Sequence, residues 1–160
     1  MLLITFITSI LSVLIAGDDP GKLFEEAEQL ARRNQNTEAM AKVMEAVVAI
    51  DRMTEAGEEV SWQGRNGFRF AARLAREDFL DYDKSLLFCD KLEALADSDY
   101  WRVPAQLERA LTLRAMGDFD KAQSLYDSIQ KADERQRKAA VLPEAEMVYF
   151  DLKDRVRGRE

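Results

Sequence analysis

Histidine is absent from the 160 residues. Its absence removes the commonest general base near neutral pH, the usual Ser–His and Cys–His nucleophile pairs, and imidazole-ligated zinc. The single cysteine, Cys89, cannot form an intrachain disulfide, and an exported protein does without one if its core is adequate. Only three prolines and seven glycines occur. Strand-rich folds need many turns, so this scarcity favours long helices. No Lys/Arg-rich block is present, and the formal charge is −7. That balance repels nucleic-acid phosphate, so no nucleic-acid partner is expected. A phosphate-cradling glycine loop is missing too. Asp81/Asp83 and Asp118/Asp120 lack the glycine and distal glutamate of a calcium loop. Adjacent acids such as Glu25-Glu26 and Glu58-Glu59 arise by chance in a chain with 30 acidic residues. No catalytic residue, cofactor or metal site is assigned, and the chain reads as non-enzymatic.

What is present is a globular composition, 47% apolar and 33% charged, in a length that suits one domain. Residues 1–17 carry no charge before Asp18. Such a run is at or below the ~17–25 residues that span a bilayer. It fits the apolar region of a cleaved secretory signal, with Ala16 and Gly17 near the cleavage point. A retained membrane anchor and a buried hydrophobic helix are the alternatives. The expected location is therefore exported, periplasmic or secreted, or else membrane-anchored, with residues 18–160 as the domain.

After residue 20, apolar side chains recur at spacings of three and four, which predicts helices. Successive stripes begin at Leu23, Met40, Phe68, Leu86, Leu107, Ala122 and Met147. Asn36 or Thr37 is expected to cap the second helix. Val60 to Gly67, with Gly64 and Gly67, reads as the longest irregular stretch. Pro143 is expected near the start of the last helix, because deeper inside it would remove a hydrogen bond. No alternating run appears, so the expectation is all-α: six helices in three short-looped antiparallel pairs, then a terminal helix.

The pairing has a motif behind it. In the segment from Ala110 to Tyr126, a small residue, Ala110, is followed by Leu113. The turn Gly117-Asp118-Phe119 comes next, then Ala122 and Tyr126. This order resembles the tetratricopeptide repeat, in which small residues let two helices approach closely and large ones fill the space between turns. A second copy is Asp81-Tyr82-Asp83-Lys84-Ser85, and Tyr82 and Phe119 are 37 residues apart, near the family period of ~34. A third has Ala27, Leu30, Ala39, Val43 and Ala46 around the turn Asn34-Gln35-Asn36. Gln106 stands where the family has tryptophan, and Glu134 where it has proline. Arg73 falls where the middle copy should have a small residue. The resemblance implies helix pairs stacked as a short α-solenoid, for which about three repeats are needed. A C-terminal helix, Pro143 to Arg157, would cap the last pair.

It also implies a function: a protein- or peptide-binding adaptor, or a self-associating structural module. In the family, the first helix of each pair lines a concave face. That points to Phe24 and Glu28 in the first copy, Phe70, Leu74 and Glu77 in the second, and Leu107, Leu111 and Arg114 in the third. Independently, Arg65, Arg69, Arg73 and Arg76 share one helix face by their spacing. They could hold an acidic peptide or a carboxylate terminus, since arginine binds carboxylates in a bidentate manner. Alternatively, they pair with acidic neighbours. Trp62, near Arg65, is a candidate anchor of the kind favoured at interfaces.

Overall fold

A computed structural model of the chain describes residues 19–131 together with Pro143, Glu146, Met147 and Asp151. The expectations for residues 1–17, and most of those for the terminal helix, lie outside the described residues. Among those described there are six helices and no strand, so the all-α reading holds. The helices are α1 (Pro20–Arg32), α2 (Asn36–Glu55), α3 (Trp62–Asp78), α4 (Tyr82–Ala94), α5 (Asp99–Ala115) and α6 (Phe119–Gln130). None of the described helices is long and apolar enough to cross a membrane. The chain divides into two compact units, Met1–Gly64 and Arg65–Glu160.

In the first unit, Asp19 caps α1 by accepting a 2.9 Å hydrogen bond from the Gly21 amide. Pro20 sits in the first turn, where a missing N–H costs nothing. Leu23, Phe24 and Ala27 of α1 are buried, and α1 packs on α2. The buried side of α2 is Ala39, Met40, Val43, Ala46, Val47 and Ile50. The expected Asn36 or Thr37 cap of α2 is not formed. The turn is too short for it: Asn34 closes α1, and α2 starts two residues later behind Gln35, whose side chain makes no cap bond.

The Val60–Gly67 expectation is also corrected, because the chain is helical from Trp62. Ser61 Oγ accepts from the Gly64 amide at 3.2 Å and supplies the cap. Gly64 serves close packing rather than a turn. A Cβ there would lie 3.0 Å from Val60 Cγ1 and 3.7 Å from Ile50 Cδ1.

In the second unit, Phe68 of α3 meets Phe88 of α4 with ring centroids 6.4 Å apart. Ser85 Oγ donates to the Ala72 carbonyl at 2.9 Å, which ties the same two helices together. Arg109 joins α5 to α4 through Asp90 and Glu93. Between α5 and α6, Val103, Leu107, Ala110 and Leu113 pack with Ala122, Tyr126 and Ile129, and Met147 is buried in that cluster. Each large side chain so buried contributes roughly 1.5–3 kcal/mol over its exposed state.

The three turns that join α1 to α2, α3 to α4 and α5 to α6 repeat one device. Asn34, Leu80 and Gly117 have φ of 59°, 53° and 82°, and each ends the first helix of a pair in the left-handed region. Five residues after each lies a small buried side chain: Ala39, Ser85 or Ala122. In the second and third turns, Asp81 and Asp118 accept from the amides of Lys84 and Lys121 and also pair with their ammonium groups, both at 2.7 Å.

The middle turn differs in length. The Gln35 amide bonds Leu30 and the Asp118 amide bonds Leu113, but the Asp81 amide reaches back one residue further, to Ala75. This extra residue shifts the register of α3. The small position of the middle pair is therefore Ala72, which is buried, and not the exposed Arg73.

Candidate partner-binding site

The shifted register changes which α3 residues correspond to the α5 face. Leu107, Leu111 and Arg114 are matched on α3 by Arg69, Arg73 and Arg76. The two helices lie side by side. The Arg65 guanidinium is 5.8 Å from the Trp101 ring centroid, and Arg69 Nε is 3.9 Å from Glu108 Oε1.

The arginines have separate fates. Arg65 pairs with Asp97 at 2.9 Å, and the bond from Arg65 holds the Asp97 carboxyl below its ordinary pKa. Arg73 is exposed, with its guanidinium 6.0 Å from the Phe70 ring centroid. Arg76 is buried. Its Nη1 donates to Glu108 Oε2 at 3.1 Å and to Thr112 Oγ1 at 3.4 Å, and its Nη2 to Glu77 at 2.9 Å. Thr112 Oγ1 is 2.8 Å from Ser85 Oγ, so one polar chain links α3, α4 and α5. Breaking such a buried pair leaves a stranded charge, so the network fixes the relative positions of these helices.

Where α3 and α5 end, the second unit opens into a cleft of about 530 Å³. Its apolar wall is Leu80, Tyr82, Leu111 and Phe119, and Arg76 and Arg114 supply guanidinium groups. Leu80 is 67% exposed. A leucine in the left-handed region costs roughly 1–2 kcal/mol, and here burial does not offset that cost. Strain of this kind, held at an opening, is a feature of functional sites. Arg114 Nε donates to Asp151 Oδ2 at 2.5 Å, and its Nη1 to Glu146 Oε2 and the Pro143 carbonyl, both at 3.3 Å.

The other sequence candidates are spread between core and surface. Phe24 is buried in the first unit, and Phe70, Leu74 and Leu107 are buried in the second. Glu28 is half-buried and pairs with Arg32 at 3.1 Å. Trp62 is 54% exposed at the start of α3. Of the candidates, Arg76, Glu77, Leu111 and Arg114 are brought together at the cleft. Leu80, Tyr82 and Phe119 join them there without having been singled out as candidates. Their only signal in the sequence was an apolar residue beside each turn aspartate. Cys89 is buried, which pushes its thiol up to about 12 and leaves it protonated.

No family model, no curated protein and no solved structure matches the chain.

Proposed function

We propose that this chain is a non-enzymatic adaptor that binds a protein or peptide. In this reading, three tetratricopeptide-like helix pairs stack as a short solenoid, with a C-terminal helix, Pro143 to Arg157, as the cap of the last pair. The observation that carries the reading is the cleft: the exposed Leu80 and the half-buried Tyr82, Leu111 and Phe119 stand beside arginines at the end of α3 and α5. Peptide grooves combine an apolar surface for anchoring with a few placed charges for orientation. The recurring left-handed turn residue and the small buried side chain after it support the repeat reading. The uncharged residues 1–17 support export, or tethering if they are retained. Mass and N-terminal sequence of the protein in each cell fraction test that part.

Binding is tested with a displayed peptide library on the full chain, followed by titration of the selected peptide by fluorescence anisotropy. Leu80→Glu and Ala115→Glu change exposed positions of the cleft, so the fold is retained. Saturable binding lost in both variants supports the reading. Failure to select any peptide, or binding indifferent to both changes, overturns it.

A further inference from the structure

The two guanidiniums of the cleft form its inner layer, and carboxylates form its outer one. Arg76 is held by Glu77 and by the buried Glu108, and Arg114 by Glu146 and Asp151. The side chain of Arg76 is 8% exposed and that of Arg114 21%, against 56% for Glu77 and 46% for Glu146. Around Arg76 the charges balance, because Glu108 also meets Arg69 at 3.9 Å. Around Arg114 they do not. Its single charge faces two carboxylates, and neither Glu146 nor Asp151 has another cationic partner among the described residues. One carboxylate is therefore in surplus at the cleft, which Asp151 itself lines. The turns add to the excess. Asp83 and Asp120, exposed next to the wall residues Tyr82 and Phe119, form no ion pair among the described residues, and they outnumber the exposed Arg73. Lys84 and Lys121 are already held by Asp81 and Asp118. Beside this negative charge stand Leu111, Phe119 and the strained, exposed Leu80.

We infer that the cleft takes a cationic peptide segment in which an apolar side chain lies next to a lysine or arginine. The apolar side chain covers Leu80, Leu111 and Phe119. The cation meets the carboxylate that Arg114 leaves in surplus, Glu146 or Asp151. An acidic segment gains no such contact, since both guanidiniums are already occupied. This deepens the adaptor reading and rests on it. Leu80→Glu and Ala115→Glu still abolish binding of a cationic segment. Each places a carboxylate beneath the apolar side chain, where it loses water without meeting the cation. The exposed negative charge also draws a cationic segment toward the cleft, so binding weakens as salt rises.

The test is isothermal titration of the full chain with a Lys-Leu-Phe-Lys-Leu peptide. One control, Gln-Leu-Phe-Gln-Leu, keeps the apolar side chains without the charge. The other, Lys-Ser-Ser-Lys-Ser, keeps the charge without the apolar side chains. The first peptide is expected to bind more tightly than either control. Glu146→Gln and Asp151→Asn each remove the surplus and leave Arg114 one carboxylate, so the fold is retained, which thermal melting checks. Each variant is expected to weaken the lysine peptide about threefold, the size of a wet ion pair, and to leave the glutamine control unchanged. Equal affinity of the lysine peptide and the glutamine control for the unaltered chain overturns the inference. So does lysine-peptide binding that neither variant weakens. If library-selected acidic or neutral peptides bind while the lysine peptide does not, this inference fails and the adaptor reading stands. If no peptide of any charge binds, the adaptor reading fails and this inference with it.

Discussion

Arg76 Nη1 lies 3.1 Å from Glu108 Oε2, and both side chains are almost fully withdrawn from solvent between α3 and α5. Removing one partner leaves the other charge buried. Arg76→Met is therefore expected to destabilise the protein by about 3 kcal/mol. Arg69, whose Nε is 3.9 Å from Glu108, is too far to replace the lost bond. The double change Arg76→Met with Glu108→Leu is expected to recover most of that loss, because two apolar groups leave no stranded charge. Urea denaturation of the single and double variants, read as a double-mutant cycle, measures the coupling. Additive losses would show that the pair does not hold α3 against α5.

Two left-handed turn residues, Leu80 and Gly117, give a matched pair of opposite predictions. Leu80 carries a side chain in a conformation that disfavours one, and burial gives nothing back. Leu80→Gly is expected to stabilise the protein by about 1 kcal/mol. Gly117→Ala is expected to cost about 1 kcal/mol. The site has open space around it, with nothing within 4 Å of an added Cβ, so the loss is purely conformational. Thermal melts of the two variants should move in opposite directions. A Leu80→Gly variant that melts lower than the parent would mean that the leucine side chain makes a stabilising contact.

Much of this was legible in the sequence, and what was not has definite physical causes. The stripes of spaced apolar residues marked six helices because each buries one face. Gly117-Asp118-Phe119 marked a turn because glycine tolerates positive φ and aspartate caps. The same chemistry concealed Leu80, since nothing about a leucine signals the left-handed region. The start of α3 was hidden because Gly64 resembles a breaker, whereas it makes room for Val60 and Ile50. The register of α3 was misread by one residue because a turn insertion leaves no mark in spacing alone; only the Asp81–Ala75 bond shows it. The cleft brings together residues from two turns and a distant acidic residue, Asp151, and periodicity within one helix cannot bring such groups together.

Asp81 caps α4 through the Lys84 amide at 3.0 Å and pairs with the Lys84 ammonium at 2.7 Å. The side-chain bond from Lys84 is the larger cause holding its carboxyl below the ordinary 3.8. A carboxyl whose folded pKa is depressed binds fewer protons when folded. Its stabilisation is present above pH 3.8 and is lost as the pH falls through the lower folded value. Asp81→Ala is expected to cost about 1 kcal/mol at neutral pH. The deficit should shrink as the pH drops below 4, because the unaltered chain then loses the same cap. Urea midpoints of both proteins across that range check the sign. A deficit that stays constant into acid would show that the cap acts without its charge.

Cys89 lies within α4, buried beside the helices that carry the polar network, and desolvation is the main reason its thiol is raised to about 12. The thiolate is the reactive species. At pH 8 the folded protein should therefore fail to react with a disulfide reagent such as 5,5′-dithiobis(2-nitrobenzoate), and denaturant should release one thiol per chain. The same shift has a consequence for stability. The folded state keeps a proton that the unfolded chain releases near 9.0, its ordinary value. Stability from this group is full below pH 9 and declines as the pH rises toward 12. Cys89→Ala removes that decline, so the unfolding curves of the two proteins should converge in alkali. It also leaves a small cavity, for which a loss of roughly 1 kcal/mol at neutral pH is expected. Rapid labelling of the native thiol at pH 8 would place Cys89 in a segment that opens locally, and α4 would then not be the fixed partner of α3 and α5 that the Ser85–Thr112 contact requires.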